Sequence, residues 1–283
     1  MFPSVPSSDY EAHFYAYPYL HSLAPFKIMG NVYYVGDENV SIHLIDTGEG
    51  LIVIDTGYPE KQAWMIQGIW ALGFRPDMVK YIIHTHGHFD HMGGTNLLKQ
   101  LAPEAKTCIS AIDAKIMREQ PEMVFADCHP IRYDCYFEPD IELHDFDEIH
   151  LGDTHLWVRD APGHTMGTLA VFFNVHAENG KEYIAGIHGG LGHNTLTRAY
   201  IEKYHIHGAR KGYREQMERL KNEKVDMMLC VHSKHIDLLT KRAQMIEHPE
   251  GPNPFLDPTA WRRNLELAQQ RFAEFEKEDP MDE

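Results

Sequence analysis

Residues 79–94 read VKYIIHTHGHFDHMGG: a short apolar run, then four histidines and one aspartate within eight positions, then two glycines. That order is the tightest constraint the chain places on its own fold. VKYII has the branched and aromatic residues of a buried strand, and GGTNLLKQLA continues as a helix. A strand that passes at once into a helix is half of a βα unit, so the chain must build a sheet with helices on its face. At the strand end His86 and His88 can project to one side with Gly87 between them, while Asp90 and His91 sit on the following turn. Gly93 and Gly94 let the backbone approach closely as the helix begins. Such a peptide can feed two adjacent metal sites, since imidazole nitrogen and carboxylate both suit zinc. The competing reading is a solvated histidine-rich loop.

The rest of the chain supplies the sheets. From Phe26, FKIMGNVYYVG and VSIHLIDTGEGLIVIDTG alternate like strands, the second as a hairpin turning at Gly48-Glu49-Gly50. YPEKQAWMIQGIWALGF predicts a helix with Pro59 near its start and Gly73 as its stop. AKTCIS reads as a further strand. In the second half DEIHLGDTHLWVRDAPGHT, GTLAVFFNV and KEYIAGIHGG are strand-like, GARKGYREQMERLKNEK is an amphipathic helix, and VDMMLCVHS is a strand ending on a histidine. Two halves of this kind predict an α/β protein: two sheets face to face with helices outside, a four-layer αββα sandwich. Residues 1–283 read as one domain, with 1–25 as an N-terminal extension. Residues 252–283 carry a docked helix with Trp261, Leu265, Ala268 and Phe272 near one face. Segment 119–140 has no clear period and reads as either a lid or a surface loop.

A catalytic zinc usually has three protein ligands, so the first motif needs distant partners. DAPGHTMGTLAVFF places His164 in a Pro-Gly turn between two strands, and MMLCVHS places His232 at a strand end. Taken singly, each could be structural. His84 shares the face of His86 and His88, and Asp55 is expected to bond backbone near the metal loop.

These residues carry a resemblance. The chain resembles the metallo-β-lactamase superfamily in its H-x-H-x-D-H motif (His86, His88, Asp90, His91), its P-G-H-T turn at 162–165 and its late strand-end His232. IDTG at 54–57 matches the family's structural turn. PFKIMGNVYYVG, ALGFRP and PNPFLDP look most like the third zinc subclass of class B β-lactamases. The resemblance implies two zinc ions per chain, the first on His86, His88 and His164, the second on Asp90, His91 and His232. It implies a dinuclear hydrolase that opens a β-lactam or similar cyclic amide through a metal-bound hydroxide, with Asp90 orienting the nucleophile and shuttling its proton. A lactone, thioester or other ester is the alternative substrate. An iron redox protein is a different reading, but iron-binding relatives usually carry glutamate where His88 stands and add a flavin domain. A structural metal module would use a closed Cys/His shell. The chain also departs from many hydrolases of this fold, which bridge their metals with the Asp of a Gly-Asp pair. Here the pair is Gly186-Ile187, and His188 beside it is either an extra ligand or turned away by strand alternation.

Composition narrows the partners. With 42 acidic against 26 basic residues the formal net charge is −16, which disfavours a phosphate backbone as ligand. No apolar run approaches the ~20 residues needed to span a bilayer. The first residues lack the basic start and apolar core of a signal peptide. The sequence as written therefore reads as cytoplasmic, and as periplasmic or secreted if a leader was removed. Cys108, Cys128, Cys135 and Cys230 form no CxxC pair and read as free thiols. The expected partner is a small molecule with a carbonyl ester or amide; the oligomeric state has no sequence signal.

Overall fold

The computed structural model describes residues 17–126 and 134–281. Residues 1–16 of the N-terminal extension, Cys128 and the centre of segment 119–140 lie outside the described residues. The first sheet has seven strands in sequence order: β1 (Phe26–Met29), β2 (Val32–Tyr34), β3 (His43–Asp46), β4 (Leu51–Ile54), β5 (Val79–Ile83), β6 (Lys106–Ser110) and β7 (Ile141–Leu143). Its first four strands form an antiparallel meander, and β4 through β7 run parallel. The hairpin between β3 and β4 closes where expected, with the Thr47 N–H donating to Gly50 O at 3.0 Å.

Parallel strands need crossovers, and four helices serve this half of the chain: α1 (Gln62–Ala71), α2 (Phe89–Met92), α3 (Thr95–Leu101) and α4 (Ala111–Glu119). The second sheet holds β8 (Glu148–Leu151), β9 (Thr154–Asp160), β10 (Leu169–His176), β11 (Glu182–His188) and β12 (Met227–Cys230), in the order β12-β11-β10-β9-β8. Only β11 and β12 are parallel there. Helices α5 (Arg198–Tyr204), α6 (Ala209–Leu220), α7 (Leu238–Glu247) and α8 (Ala260–Glu278) complete the chain.

Strand alternation sorts the core into layers. Leu44, Val53 and Ile82 face outward against Ile69 and Leu98 of α1 and α3. Ile45, Ile54 and Ile83, one position along, face inward and share a core with Val158, Val171 and Ile187 of the second sheet. On the far side Met217 and Leu220 of α6 and Trp261, Leu265 and Phe272 of α8 cover the second sheet. The Trp261 indole N–H donates to Leu220 O at 2.7 Å, tying α8 to α6. Helix, sheet, sheet, helix is the four-layer sandwich that the strand pattern predicts. Cys108, Cys135 and Cys230 are buried, and Cys108 and Cys230 are free thiols. Among the described residues no helix is long and apolar enough to cross a membrane.

Candidate metal centre

Three backbone segments meet at one end of the sandwich: the turn after β5, the turn between β9 and β10, and the end of β12. Hydrogen bonds between the sheets hold them in register. The Leu169 N–H donates to Thr85 O at 2.8 Å, and the Ser41 N–H donates to Val231 O at 2.9 Å. An isolated antiparallel bridge joins Val40 to His232, so the last histidine is pinned to the first sheet.

The result is a cluster. Donor atoms of His86, His88 and His164 lie within 4.8 Å of one another, and so do those of His86, Asp90 and His91. His232 completes the second group: its Nε2 is 3.3 Å from His91 Nε2 and 3.6 Å from Asp90 Oδ2. His91 Nε2 is 3.3 Å from the same Asp90 oxygen. All six residues singled out in the sequence are thus brought together.

The neighbours fix which nitrogen of each ring is free. Thr85 Oγ1 sits 2.9 Å from Asp55 Oδ2 and 3.1 Å from His86 Nδ1. Because its one proton goes to the carboxylate, it must accept from His86 Nδ1–H, which leaves His86 Nε2 with a lone pair. His91 Nδ1 donates to Asp55 Oδ2 at 3.0 Å, and His164 Nδ1 donates to Gly192 O at 3.1 Å. Each bond therefore leaves Nε2 as the free donor atom, the second-layer support typical of metal-binding histidines. Asp55 also accepts the Thr85 N–H at 2.8 Å. It bonds backbone as expected, and it holds His91 as well.

Burial sets the charge state. It drives His86, His88 and His232 well below the usual imidazole range and His164 to about 4, with further lowering from the crowded histidines. Neutral imidazole is the form that binds a metal. Burial opposes the charge on Asp90, but His91, His232 and His88 outweigh it and hold the carboxyl well below its ordinary range. His91 moves the other way: burial disfavours its charge, yet Asp90 and Asp55 raise it overall.

These residues fit a metal. His86 Nε2, His88 Nε2 and His232 Nδ1 are buried with no hydrogen-bond partner, and an unpaired buried polar atom costs ~1–3 kcal/mol. His91 Nε2 faces His232 Nε2 at a distance where two lone pairs repel unless a proton or a cation lies between them. Five imidazoles and a carboxylate gathered in this way are the donor set of a zinc-type centre.

Asp113, at the start of α4, escaped the sequence reading. Its carboxylate accepts from Gly87 N at 2.8 Å, Gly167 N at 3.0 Å and Thr165 Oγ1 at 2.7 Å. It therefore clamps the first histidine turn to the turn that carries His164. Burial pushes this carboxyl up to about 6, while the three donors pull it down. The signal was faint: Ser110 caps α4, with Asp113 in the capping-box position, but the carboxylate turns to the glycines instead.

Other residues resolve by position. His188 faces the helix layer, where Nε2 meets Gln216 Oε1 at 3.1 Å and Nδ1 accepts from Gly190 N at 3.2 Å. It is turned away from the cluster, and Ile187 takes the inner face. His84 buttresses the motif through Thr95 Oγ1 at 3.1 Å and His91 O at 3.3 Å. Gly190 is required, because a Cβ there would run into the His164 ring. From segment 119–140 the structure brings Phe125 edge-on to His88, ring centroids 4.8 Å apart. The cluster opens into a cleft of about 330 Å³ whose walls include Asn39, Tyr58, Phe125 and Leu191.

The family model for the metallo-beta-lactamase superfamily matches residues 35–232, from the end of β2 to the last histidine of the cluster. The chain belongs to this superfamily. Among solved structures, native FEZ-1 metallo-beta-lactamase from Legionella gormanii is similar at a TM-score of 0.82 and 27% identity, covering 92% of this chain and 98% of that one. BJP-1, a subclass B3 metallo-beta-lactamase of Bradyrhizobium japonicum, gives 0.79 and 25%, covering 92% and 96%. Among curated proteins, hydroxyacylglutathione hydrolase of Anaeromyxobacter dehalogenans is 29% identical over 47% of this chain and 42% of its own length. Human mitochondrial persulfide dioxygenase ETHE1 is 29% identical over 39% and 34%. The chain thus spans less than half the length of these two curated relatives. Its likeness to the third zinc subclass, by contrast, runs through nearly the whole chain of the metallo-β-lactamases.

Proposed function

We propose that this protein is a metal-dependent hydrolase of a small carbonyl compound. Two zinc ions would be held by His86, His88 and His164 and by Asp90, His91 and His232. The observation that carries this reading is the convergence of the six residues on one cleft, with ring nitrogens left free by their neighbours. When bound, zinc supplies Lewis acidity and makes water acidic near neutral pH.

The chain's own residues do the rest. Asp90 stays ionised through His91, His232 and His88, and as the one carboxylate of the cluster it is the group that would orient the nucleophile and pass its proton to the leaving atom. Asp55, Thr85 and the Gly192 carbonyl keep the rings oriented. Phe125 and Leu191 keep the cleft wall apolar, and Asn39 with Tyr58, bonded to each other at 3.0 Å, offers a polar rim.

A β-lactam or similar cyclic amide is the leading substrate, supported by likeness to B3 enzymes over more than nine tenths of both chains. A lactone, thioester or other ester is the second reading. Partial likeness to a hydroxyacylglutathione hydrolase favours it, whereas Ile187, standing where many such hydrolases carry a bridging aspartate, counts against it. The net charge of −16 supports a small-molecule substrate over a nucleic acid.

The test is hydrolysis of a chromogenic cephalosporin by zinc-loaded protein beside a chelated sample. Chelator-sensitive turnover establishes the β-lactamase reading. Turnover of a thioester or lactone alone moves the assignment to the second. A metal-loaded protein inert toward all three classes overturns the hydrolase reading.

A further inference from the structure

Beside the metal cleft lies a second concavity of about 590 Å³. The two share Leu191, Gly192, Lys234 and His235 in their linings, so they lie side by side. Its lining charges run against the protein's. The chain carries a net charge of −16, yet this cavity is lined by Lys234, Lys241, Arg263 and Arg271 against the single carboxylate of Asp237.

These cations come from three elements: the turn after His232, α7 and α8. They are not the charged face of one solvated helix. Two arginines of α8 are already answered, Arg262 outside the cavity by Glu266 at 2.8 Å and Arg263 of its lining by Asp257 at 3.1 Å. Lys241 lies 5.2 Å from the centre of the Phe255 ring. Lys234 and Arg271 make no side-chain hydrogen bond or ion pair among the described residues. Their fields meet inside the cavity. After burial, Arg271 contributes to lowering His193, which also lines the cavity. Like charges gathered in a concave site focus potential and draw a counter-ion.

We propose that this cavity is an anion subsite, taking a carboxylate or phosphate arm of the molecule whose carbonyl lies in the metal cleft. The substrate class narrows accordingly to acyl compounds with an anionic group set apart from the scissile bond. This rests on the hydrolase reading, but the subsite itself is testable without turnover.

Isothermal titration of glutarate, and separately of inorganic phosphate, into the metal-loaded protein reads the cavity directly. Arg271 is exposed on α8, so Arg271→Glu and Arg271→Lys fold normally. The expected result is a Kd about tenfold weaker in Arg271→Glu for at least one of the two anions, with Arg271→Lys restoring most of the affinity. A tenfold change corresponds to ~1.4 kcal/mol. A larger loss for glutarate assigns a carboxylate arm, and a larger loss for phosphate a phosphate arm. Equal affinities in all three proteins, or no binding of either anion to the wild type, overturn the subsite. Arg271-dependent binding in a protein that hydrolyses nothing keeps the subsite and sinks the hydrolase reading. Turnover with Arg271-independent binding does the reverse.

Discussion

At the scale of single residues, the site is a set of histidines whose protons are assigned by their neighbours. Asp90 is the one cluster member with a carboxylate to spare for a proton, so Asp90→Asn should keep the fold and cut turnover by ~10²–10⁴. Steady-state kinetics with a metal count on the same sample checks this; retention of most of the rate would remove Asp90 from the proton path. Asp113 acts one step back, as a positioning residue. Asp113→Ala leaves the buried Gly87 and Gly167 N–H groups unpaired, at ~1–3 kcal/mol each. Denaturant midpoints should fall accordingly, and metal affinity should weaken because the two histidine turns are no longer clamped. The six cluster residues were legible because strand ends and a Gly-Gly step bracket them. Asp113 was not, because its partners lie 26 and 54 residues away and nothing local marks the pairing.

At the scale of elements, legibility followed periodicity. β4 and β5 announce themselves by branched apolar runs, and α8 by Trp261, Leu265, Ala268 and Phe272, all four buried. Helix α5, seven residues long, and three-residue β7 were not foreseen. Each is too short for its pattern to rise above a loop, and its stability comes from what it packs against. α8 differs, since it supplies a large part of the outer core. Trp261→Ala should cost ~3–5 kcal/mol, through the lost volume against Phe172 and the lost bond to Leu220 O. A thermal or denaturant unfolding curve decides it, and a change below about 1 kcal/mol would mean that α8 is an ornament on the fold.

At the scale of the whole molecule, buried histidines outside the cluster give the fold a pH dependence. Burial depresses His43 and His188 to about 4, whereas an unfolded histidine titrates near ~6.5. Between those values the unfolded chain binds more protons than the folded one, so stability rises with pH across that window. It is fully present above ~6.5 and is lost as pH falls toward 4, by up to ~3 kcal/mol per residue at ~1.36 kcal/mol per unit. Urea midpoints from pH 4 to 7 should show this slope, and His43→Phe should lower it without abolishing it, because buried His84 and His235 are depressed to about 4 as well. A flat profile would show that neither imidazole is buried neutral.

The pairing of His91 with His232 carries a consequence for the whole chain. These rings approach to 3.3 Å across a separation of 141 residues. In the unfolded chain, closing a loop of that length costs roughly 4 kcal/mol. A cation gripping both rings would therefore act as a cross-link, as a disulfide does elsewhere, in a protein where buried Cys108 and Cys230 are free thiols. Its release would follow acidity and chelation, and a reductant would leave it closed.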